Sequence, residues 1–273
     1  MTLEQKDLSK ILETAIVAAR LAGQKALEDI NFVKFSIKND SELVTPTDSA
    51  CQQIIIDKVK ETFPDHGFIA EEGDQGKIFK QTPRGSQQIW WVIDPIDGTN
   101  NFVKKIPIFA VSIAAVYQGE PIVGVIFDPS TDSIFTAVKD NDAQINSRRI
   151  NASDGNMDKY SSVGLDTHLG EKVPQWALEI MTRTRFRTLG SAALQIAYVA
   201  KGALIATVLT RPKLWDIAAG ALIAQSAGAK VTNWEGKDIF PMDLDNYNGQ
   251  ELKTLTANKK VHAEILELLK NTS

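Results

Sequence analysis

The sequence predicts an α/β (α+β) protein built from layers of helices and sheets, because helix-like and strand-like segments alternate in blocks along its 273 residues. Two amphipathic helices come first, with apolar residues at helical spacing in segments 8–26 and 46–62. A strand-like run ends before each of the acidic positions 71 and 94, and a meander follows. This order predicts that helices pack on the faces of a sheet.

The later elements repeat this alternation. The meander consists of predicted strands 109–117, 122–127 and 133–138, and the polar stretch 139–142 predicts a boundary between closely packed halves, 1–142 and 143–273. In the second half we expect strands at 161–165, 186–189, 203–209 and 254–257, with helices at 174–181, 191–201, from about 214, and from about 261. The chain is long enough to bury a large core.

Composition excludes several classes of function. The net charge of -4 and the isoelectric point near 5.5 give no basic footprint for nucleic acid, so we expect no nucleic-acid partner. A single cysteine rules out an internal disulfide framework and fits a reducing compartment. The first residues form no apolar signal core, and the apolar runs are too short to cross a bilayer. We therefore expect a cytoplasmic protein with no membrane contact.

The segment 89–102 is the most informative part of the chain. Its apolar strand ends in Asp94 and Asp97, followed by Gly98 and Thr99. We expect strand pairing to stop at Pro95, which has no N–H to donate. Paired carboxylates are ligands for a hard divalent cation, and free N–H groups at a helical turn opened by Thr99 would form an anion site. The alternative is an ordinary solvated turn, since Asp-Pro and Asp-Gly both favour turns.

Three further acidic clusters lie at comparable junctions. Glu71 and Glu72 follow a short strand, and only one of them can face the same site as Asp94, because adjacent residues on a strand point to opposite faces. Asp216 begins an apolar helix, where an N-cap role is the structural alternative. Asp48 fits the return arm of a capping box and can be purely structural. One such junction is common, whereas four together favour a shared site.

Together these segments resemble the inositol monophosphatase family of Mg²⁺-dependent, lithium-sensitive phosphatases. The shared signatures are a Glu-Glu pair after a strand, Asp-Pro-Ile-Asp-Gly-Thr at 94–99 and Trp-Asp-x-Ala-Ala-Gly at 215–220. Weaker matches at 43–48, 190–193 and 257–258 extend the resemblance over nearly the whole chain. It implies an α-β-α-β-α sandwich of the inositol monophosphatase and fructose-1,6-bisphosphatase type, which commonly forms a homodimer.

The resemblance also implies a role for each residue of the site. Glu71, Asp94 and the carbonyl of Ile96 would hold one Mg²⁺, and Asp94, Asp97 and Asp216 a second, within a site of two or three ions. Thr99, polarised by Asp48 or Glu71, would position the attacking water. Residues expected to bind phosphate or substrate are Asp97, Gly98, Thr99, Gly190, Ser191, Ala192 and Arg211.

These residue types suit magnesium. Mg²⁺ prefers oxygen ligands, and two such ions can activate water and stabilise a leaving alkoxide without a covalent phospho-enzyme. The three histidines, His66, His168 and His262, are scattered, and the lone Cys51 lies on an apolar helical stripe, which argues against zinc or iron. The sequence therefore predicts a phosphoric monoester hydrolase that acts on a small phosphorylated substrate.

One departure from the family pattern bears on that substrate. Members specific for inositol commonly carry a hydroxyl-binding glutamate seven residues before the aspartate of the Trp-Asp motif, and here that position is Leu209. Arg211 and Lys213 add positive charge nearby, which either contacts a second anionic group or forms a solvated loop. A polyol or sugar phosphate such as inositol 1-phosphate is expected. Histidinol phosphate, adenosine 3',5'-bisphosphate and a non-catalytic regulatory or metal-binding role are the alternatives.

Overall fold

The computed structural model describes residues 4–38, 42–74, 77–84 and 88–270. Its helices are α1 (Gln5–Asp29), α2 (Pro46–Thr62), α3 (Thr99–Val103), α4 (Gln175–Arg183), α5 (Ala192–Ala200), α6 (Leu214–Ser226) and α7 (His262–Lys270). Each predicted helix is present within a few residues of its expected bounds. Within the described ranges, none of these helices combines the length and apolar character that crossing a bilayer requires.

The strands form a small hairpin and two larger sheets. The hairpin pairs β1 (Ser36–Lys38) with β2 (Glu42–Val44). The eight-stranded sheet has the order β10-β9-β8-β7-β6-β5-β3-β4. Its strands are β3 (Gly67–Ala70), β4 (Phe79–Gln81), β5 (Ile89–Asp97), β6 (Ala110–Tyr117), β7 (Glu120–Asp128), β8 (Ser133–Val138), β9 (Gln144–Ile145) and β10 (Arg148–Arg149). The sequence did not predict the short strands β1, β2, β4, β9 and β10.

The second sheet has five strands in the order β12-β11-β13-β15-β14. They are β11 (Ser162–Leu165), β12 (Arg185–Arg187), β13 (Ala206–Leu209), β14 (Lys230–Asn233) and β15 (Thr254–Ala257). Strand β13 starts three residues later than predicted, because the N–H groups of Ala203 and Leu204 both donate to the carbonyl of Tyr198 and close the end of α5. The sequence analysis missed β14.

Three apolar clusters separate the layers. The first packs α1 and α2 on one face of the eight-stranded sheet, the second packs α5 and α6 between the two sheets, and the third packs α4 and α7 on the outer face of the five-stranded sheet. Small residues on α1, such as Ala15, Ala18 and Ala22, are fully buried and allow close approach. The α-β-α-β-α sandwich expected from the sequence is confirmed. The division at 142 stays a prediction.

The prediction that strand pairing stops at Pro95 is wrong. Strand β5 pairs with β6 at Asp94 opposite Ser112, shifts register, and pairs again at Asp97 opposite Ala110. The shift takes Pro95 out of the ladder, so its missing N–H costs no strand hydrogen bond. The same irregularity leaves both aspartates at one end of a single buried strand, where their carboxylates can meet.

Candidate active site

Three aspartates converge at the carboxyl end of β5. Asp94 and Asp97 come from that strand, and Asp216 is the third residue of α6. One carboxylate oxygen from each lies within 4.8 Å of the others. Asp94 is 2% and Asp97 7% exposed, so this cluster is shielded from solvent. The structure therefore brings together Asp94 and Asp216, which are 122 positions apart in the chain.

The local helix geometry explains the direction of Asp216. It is not the N-cap of α6 but lies at the third helical position, where its Oδ2 accepts a hydrogen bond from the Lys213 N–H at 2.6 Å. The helix start is thus satisfied by the same side chain that joins the cluster. One oxygen of the Asp216 carboxylate accepts the hydrogen bond at the start of the helix. The carboxylate also lies beside Asp94 and Asp97.

Burial and mutual repulsion govern the charge of this cluster. Burial raises the pKa of Asp94 well above its usual range, and the charges of Glu71, Asp97 and Asp216 raise it further. Burial also raises the pKa of Asp97 and of Asp216. Converging buried carboxylates are unfavourable unless a proton or a cation neutralises them. A divalent cation would relieve this repulsion.

Asp97 also fastens the start of α5 to the sheet. Its Oδ2 accepts hydrogen bonds from the Ser191 hydroxyl and, at 2.8 Å, from the Ala193 N–H. Its Oδ1 accepts from the Ala192 N–H at 3.2 Å. Ser191 is in turn the N-cap of α5, with its Oγ accepting from Leu194. Predicted substrate-side positions 191 and 192 are therefore in direct contact with a predicted metal ligand.

The two adjacent glutamates lie just after β3, which ends at Ala70, and their backbones have different partners. The Glu71 N–H donates to the Ile93 carbonyl at 3.3 Å, and the charge of Glu71 raises the pKa of Asp94, which places Glu71 beside the cluster. Glu72 instead pairs through its backbone with the Gln52 amide, and its charge contributes to the raised pKa of Asp48. The charge of Glu71 thus acts on Asp94, and the charge of Glu72 acts on Asp48.

Asp48 has both a structural and a site-facing contact. Its Oδ2 accepts from the Thr45 N–H at 2.9 Å and from the Thr45 hydroxyl, which completes the predicted capping box. Its Oδ1 lies 3.2 Å from the Thr99 hydroxyl, which is also 3.0 Å from the Ile96 carbonyl. Burial raises the pKa of Asp48 to about 6. The side chain is therefore a cap of α2 that also reaches the loop at the end of β5.

Two glycine turns meet beside the cluster. Gly98 has φ of +98° and Gly190 +73°, and a Cβ on Gly98 would lie 3.1 Å from the Gly190 carbonyl oxygen. Asn101 holds the second turn in place, because its Nδ2 donates to the carbonyls of Leu189 and Ile108 at 2.7 and 2.8 Å. The sequence analysis missed Asn101. Its position three residues after Gly98 was the available signal.

A cleft of about 390 Å³ opens next to the cluster. Its lining includes Asp97, Gly190, Ser191, Ala192, Arg211 and Asp216 from the predicted set, together with Asp166, His168, Gln195, Thr210, Lys213 and Glu251. Asp94, Ile96, Gly98, Thr99, Asp48 and Glu71 are not part of this lining. The sequence analysis did not find Asp166 or Glu251, because each follows a segment with no recognisable motif.

The two basic residues of the cleft have acceptors within the protein. Arg211 Nε forms an ion pair with Glu251 Oε1 at 2.7 Å, and Lys213 Nζ donates to the Gly249 carbonyl at 2.8 Å. Contact of Arg211 with a second anionic group of the substrate stays a prediction, and such a contact would have to share the guanidinium with Glu251. Leu209 is fully buried in the core between the sheets.

The donor set fits magnesium. It consists of carboxylate oxygens from Asp94, Asp97 and Asp216, which are hard ligands; the charge of Glu71 acts on Asp94, and Ile96 lies between the first two aspartates on β5. Among the residues that the structure describes, the one grouping of at least three His, Cys, Asp or Glu able to hold a metal is Asp94, Asp97 and Asp216. Comparison with known proteins matches residues 7–272 to the inositol monophosphatase family.

The chain belongs to the inositol monophosphatase family. It is 36% identical over 263 residues to the protein named Nus factor SuhB of Escherichia coli K12, with 92% of this chain and 96% of that protein covered. Among solved structures, SuhB of Bartonella henselae matches with a TM-score of 0.84 and 29% identity over 96% of this chain and 98% of that one. An IMPase of Thermotoga maritima matches with a TM-score of 0.82 and 30% identity, covering 96% and 97%.

These relatives establish the phosphatase fold of the family, as the sequence predicted. Their names describe two kinds of protein, because the Thermotoga protein is called an IMPase and the Escherichia protein a Nus factor. Membership in the inositol monophosphatase family therefore establishes the fold and supports a phosphatase, and it leaves the substrate to be found from the site.

Proposed function

We propose that this protein is a Mg²⁺-dependent phosphomonoesterase that hydrolyses a small polyol or sugar phosphate, such as inositol 1-phosphate, by direct attack of water. The observation that carries the proposal is the convergence of Asp94, Asp97 and Asp216 to within 4.8 Å beside an open cleft. Buried carboxylates at this spacing repel one another, and a divalent cation is the ligand that suits them. Relatives named IMPase support the same reaction class.

In this proposal, Asp94, Asp97 and Asp216, with Glu71 and the Ile96 carbonyl, hold two or three Mg²⁺ ions. When bound, Mg²⁺ lowers the pKa of a coordinated water and neutralises charge on the phosphate and the leaving oxygen. The protein supplies a fixed geometry for this chemistry, because Asp97 and Asp216 are each hydrogen-bonded to the start of a helix. Such support keeps the ligands preorganised.

The remaining groups position the reactants. The Thr99 hydroxyl, with Asp48 as its acceptor, is placed to orient the attacking water by a hydrogen bond. The N–H groups of Gly98 and Thr99, at the first turn of α3, offer donors for the phosphate. The turn 190–192 lines the cleft and would contact the substrate.

A phosphate-release screen with and without Mg²⁺ tests this function. The panel contains inositol, histidinol and fructose phosphates and adenosine 3',5'-bisphosphate, so that it also separates the alternative substrates. Asp94→Asn is the test variant, and Asp128→Asn is the matched control, because Asp128 is another buried carboxylate that binds a turn by three hydrogen bonds and is not among the residues that line the cleft. We expect release by the wild type and Asp128→Asn only. No release from any substrate by the wild type would refute the proposal.

A second candidate function follows from the name Nus factor carried by the Escherichia relative. We propose, as the alternative, a regulatory role that needs a protein or RNA partner and no turnover. The two functions are separable in the host cell by replacing the gene with the Asp94→Asn variant. Rescue of a deletion phenotype by that variant would favour the regulatory role, and failure to rescue while Asp128→Asn succeeds would favour catalysis.

The assembly and location of the protein stay predictions. A homodimer is expected from the family, and sedimentation of the purified chain would test it. The cytoplasmic location is likewise an expectation from the sequence.

A further inference from the structure

Asp166 lies at the carboxyl end of β11 in the five-stranded sheet. It directly follows β11, and β11 runs parallel to β13 with Leu165 opposite Val208. That register puts Asp166 beside Leu209, at the ends of two neighbouring parallel strands. Leu209 is fully buried and points into the core, so it offers no polar group to the cleft. Asp166 is partly exposed and lines the cleft with Asp97 and Asp216.

The contacts of Asp166 hold its carboxylate in place without using its full capacity. Its Oδ2 accepts from both the N–H and the hydroxyl of Thr210, the first residue after β13. A carboxylate offers about four lone-pair sites, so further donors can be accommodated. Side-chain freedom is restricted by these bonds, and a ligand therefore meets an acceptor in a fixed position.

A second acceptor lies in the floor of the same cleft. Gln195 is 2% exposed, and its Oε1 has no hydrogen-bond partner among the residues that the structure describes. A Cβ on Gly164 of β11 would lie 2.6 Å from this oxygen, so the amide packs against the strand that precedes Asp166. Thr207 Oγ1 is likewise buried without a partner and lies 2.8 Å from the same Cβ position, so a hydroxyl donor of the protein itself stands near the Gln195 oxygen.

The charged side chains opposite are paired with protein acceptors. Arg211 is bound to Glu251, and Lys213 donates to the Gly249 carbonyl. A guanidinium has five N–H donors and an ammonium three, so these contacts do not remove Arg211 and Lys213 as donors; the acceptor that this part of the cleft adds is the Asp166 carboxylate. Oxygen acceptors in a half-buried cleft bind groups that donate hydrogen bonds, and the hydroxyls of a polyol are such groups.

We propose that Asp166 is a specificity-determining residue that accepts a hydrogen bond from a hydroxyl of the leaving alcohol, in a cleft where Leu209 cannot. The proposal rests on the proposed phosphatase function and names the substrate feature that the cleft selects. A site built to bind a hydroxyl discriminates against analogues that lack it, because the buried acceptor is then left without a donor. Substrates with a hydroxyl-bearing leaving group are therefore preferred to plain esters.

Asp166→Asn tests the proposal, because the amide keeps the shape and can still accept from the Thr210 N–H while one oxygen becomes a donor. Thr210→Val is the matched control, since it removes one hydrogen bond to Asp166 and leaves the carboxylate. Both are compared with wild type on inositol 1-phosphate and on p-nitrophenyl phosphate, whose leaving group carries no second hydroxyl. We expect kcat/KM of Asp166→Asn to fall about 10- to 100-fold for the polyol ester and to stay within about twofold for the aryl ester.

An equal fall on both esters would show that Asp166 only supports the loop, and no fall on either would show that it has no role; each result overturns the proposal. Thr210→Val is expected to lower kcat/KM for the polyol ester less than Asp166→Asn does, because the carboxylate and its bond from the Thr210 N–H remain; a fall as large as that of Asp166→Asn would contradict the proposal. If the wild type hydrolyses neither ester, the phosphatase function fails instead. Calorimetric binding of inositol 1-phosphate to the Ca²⁺-loaded protein then decides the role of Asp166, because equal affinity of wild type and Asp166→Asn would contradict it.

Discussion

The Thr99 hydroxyl lies 3.2 Å from Asp48 Oδ1 and 3.0 Å from the Ile96 carbonyl oxygen, so one hydroxyl group contacts both helix α2 and the end of strand β5. A hydroxyl has one proton and can donate to only one of these oxygens at a time. When it donates to Asp48, its lone pairs can accept a hydrogen bond from a water in the site. The pairing of Asp48 with Thr99 thus gives the hydroxyl the direction that water activation requires.

Removal of this hydroxyl is expected to lower turnover without lowering metal affinity. Thr99→Val keeps the size of the side chain but cannot accept from water, and we expect kcat to fall about 100-fold or more. Thr99→Ser keeps the hydroxyl and should retain most of the activity. Steady-state phosphate release and calorimetric Mg²⁺ binding measure the two effects. A large fall in kcat for Thr99→Ser as well would contradict this role.

Thr45 gives a way to weaken the cap of α2 while leaving the Asp48 carboxylate present. Its hydroxyl contacts Asp48 and accepts from the N–H groups of Thr47 and Asp48 at 3.2 and 3.3 Å. Thr45→Ala should lower the free energy of unfolding by about 1 kcal/mol, the usual cost of losing an N-cap. Urea denaturation measures this loss. An unchanged midpoint would mean that the capping box contributes nothing to stability.

Asp94 and Asp97 are expected to respond oppositely to neutralisation in the absence of metal. Asp94→Asn replaces a buried carboxyl whose ionised form is disfavoured by burial and by its acidic neighbours, so the metal-free variant should be at least as stable as wild type. Asp97→Asn directs an amide toward the donors of Ser191 and Ala193, and should lose about 1 to 3 kcal/mol. Thermal unfolding with a chelator separates them. Equal destabilisation by both substitutions would contradict the electrostatic account of the cluster.

Much of the fold and of the site could be predicted because the signals are local. Helical spacing identified α1 and α2, and the box formed by Thr45 and Asp48 was visible in four consecutive residues. The acidic residues at the ends of apolar segments marked the cluster. Convergence of Asp216 with Asp94 was inferred from the family resemblance, since no local pattern specifies which distant segments meet.

The features that sequence reasoning missed depend on non-local geometry. The position of Asp166 follows from the parallel register of β11 and β13, which two short apolar segments do not specify. The continuation of β5 past Pro95 depends on a register shift against β6. Arg211 forms an ion pair with Glu251, which is 40 positions away in the chain. This contact partly neutralises the positive charge that Arg211 brings to the cleft.

His66 should make the protein sensitive to acid. It is 6% exposed, accepts a hydrogen bond from Trp91 Nε1 at 2.9 Å through Nδ1, and burial lowers its pKa to about 4. Between pH 6.5 and 4 the unfolded chain binds a proton there that the folded chain does not. This contribution to stability is therefore complete above pH 6.5 and is lost as the pH falls to 4, by about 2 to 3 kcal/mol.

His66→Gln keeps an acceptor for Trp91 and cannot be protonated, so its stability should fall less between pH 7 and 4 than that of wild type. The exposed His168 provides the control variant, His168→Gln, which should behave as wild type. Denaturant unfolding across this pH range measures the difference. Identical acid sensitivity of His66→Gln and wild type would show that His66 does not set it.

The most direct test of the account is a calorimetric Mg²⁺ titration of wild type, Asp94→Asn and Asp128→Asn at pH 7.5. The account predicts that wild type and Asp128→Asn bind Mg²⁺ with equal affinity, and that Asp94→Asn binds at least about tenfold more weakly, because even outer-shell changes at metal sites cost that much. Mg²⁺ affinity of Asp94→Asn equal to that of wild type would contradict the claim that the converging aspartates form the metal centre.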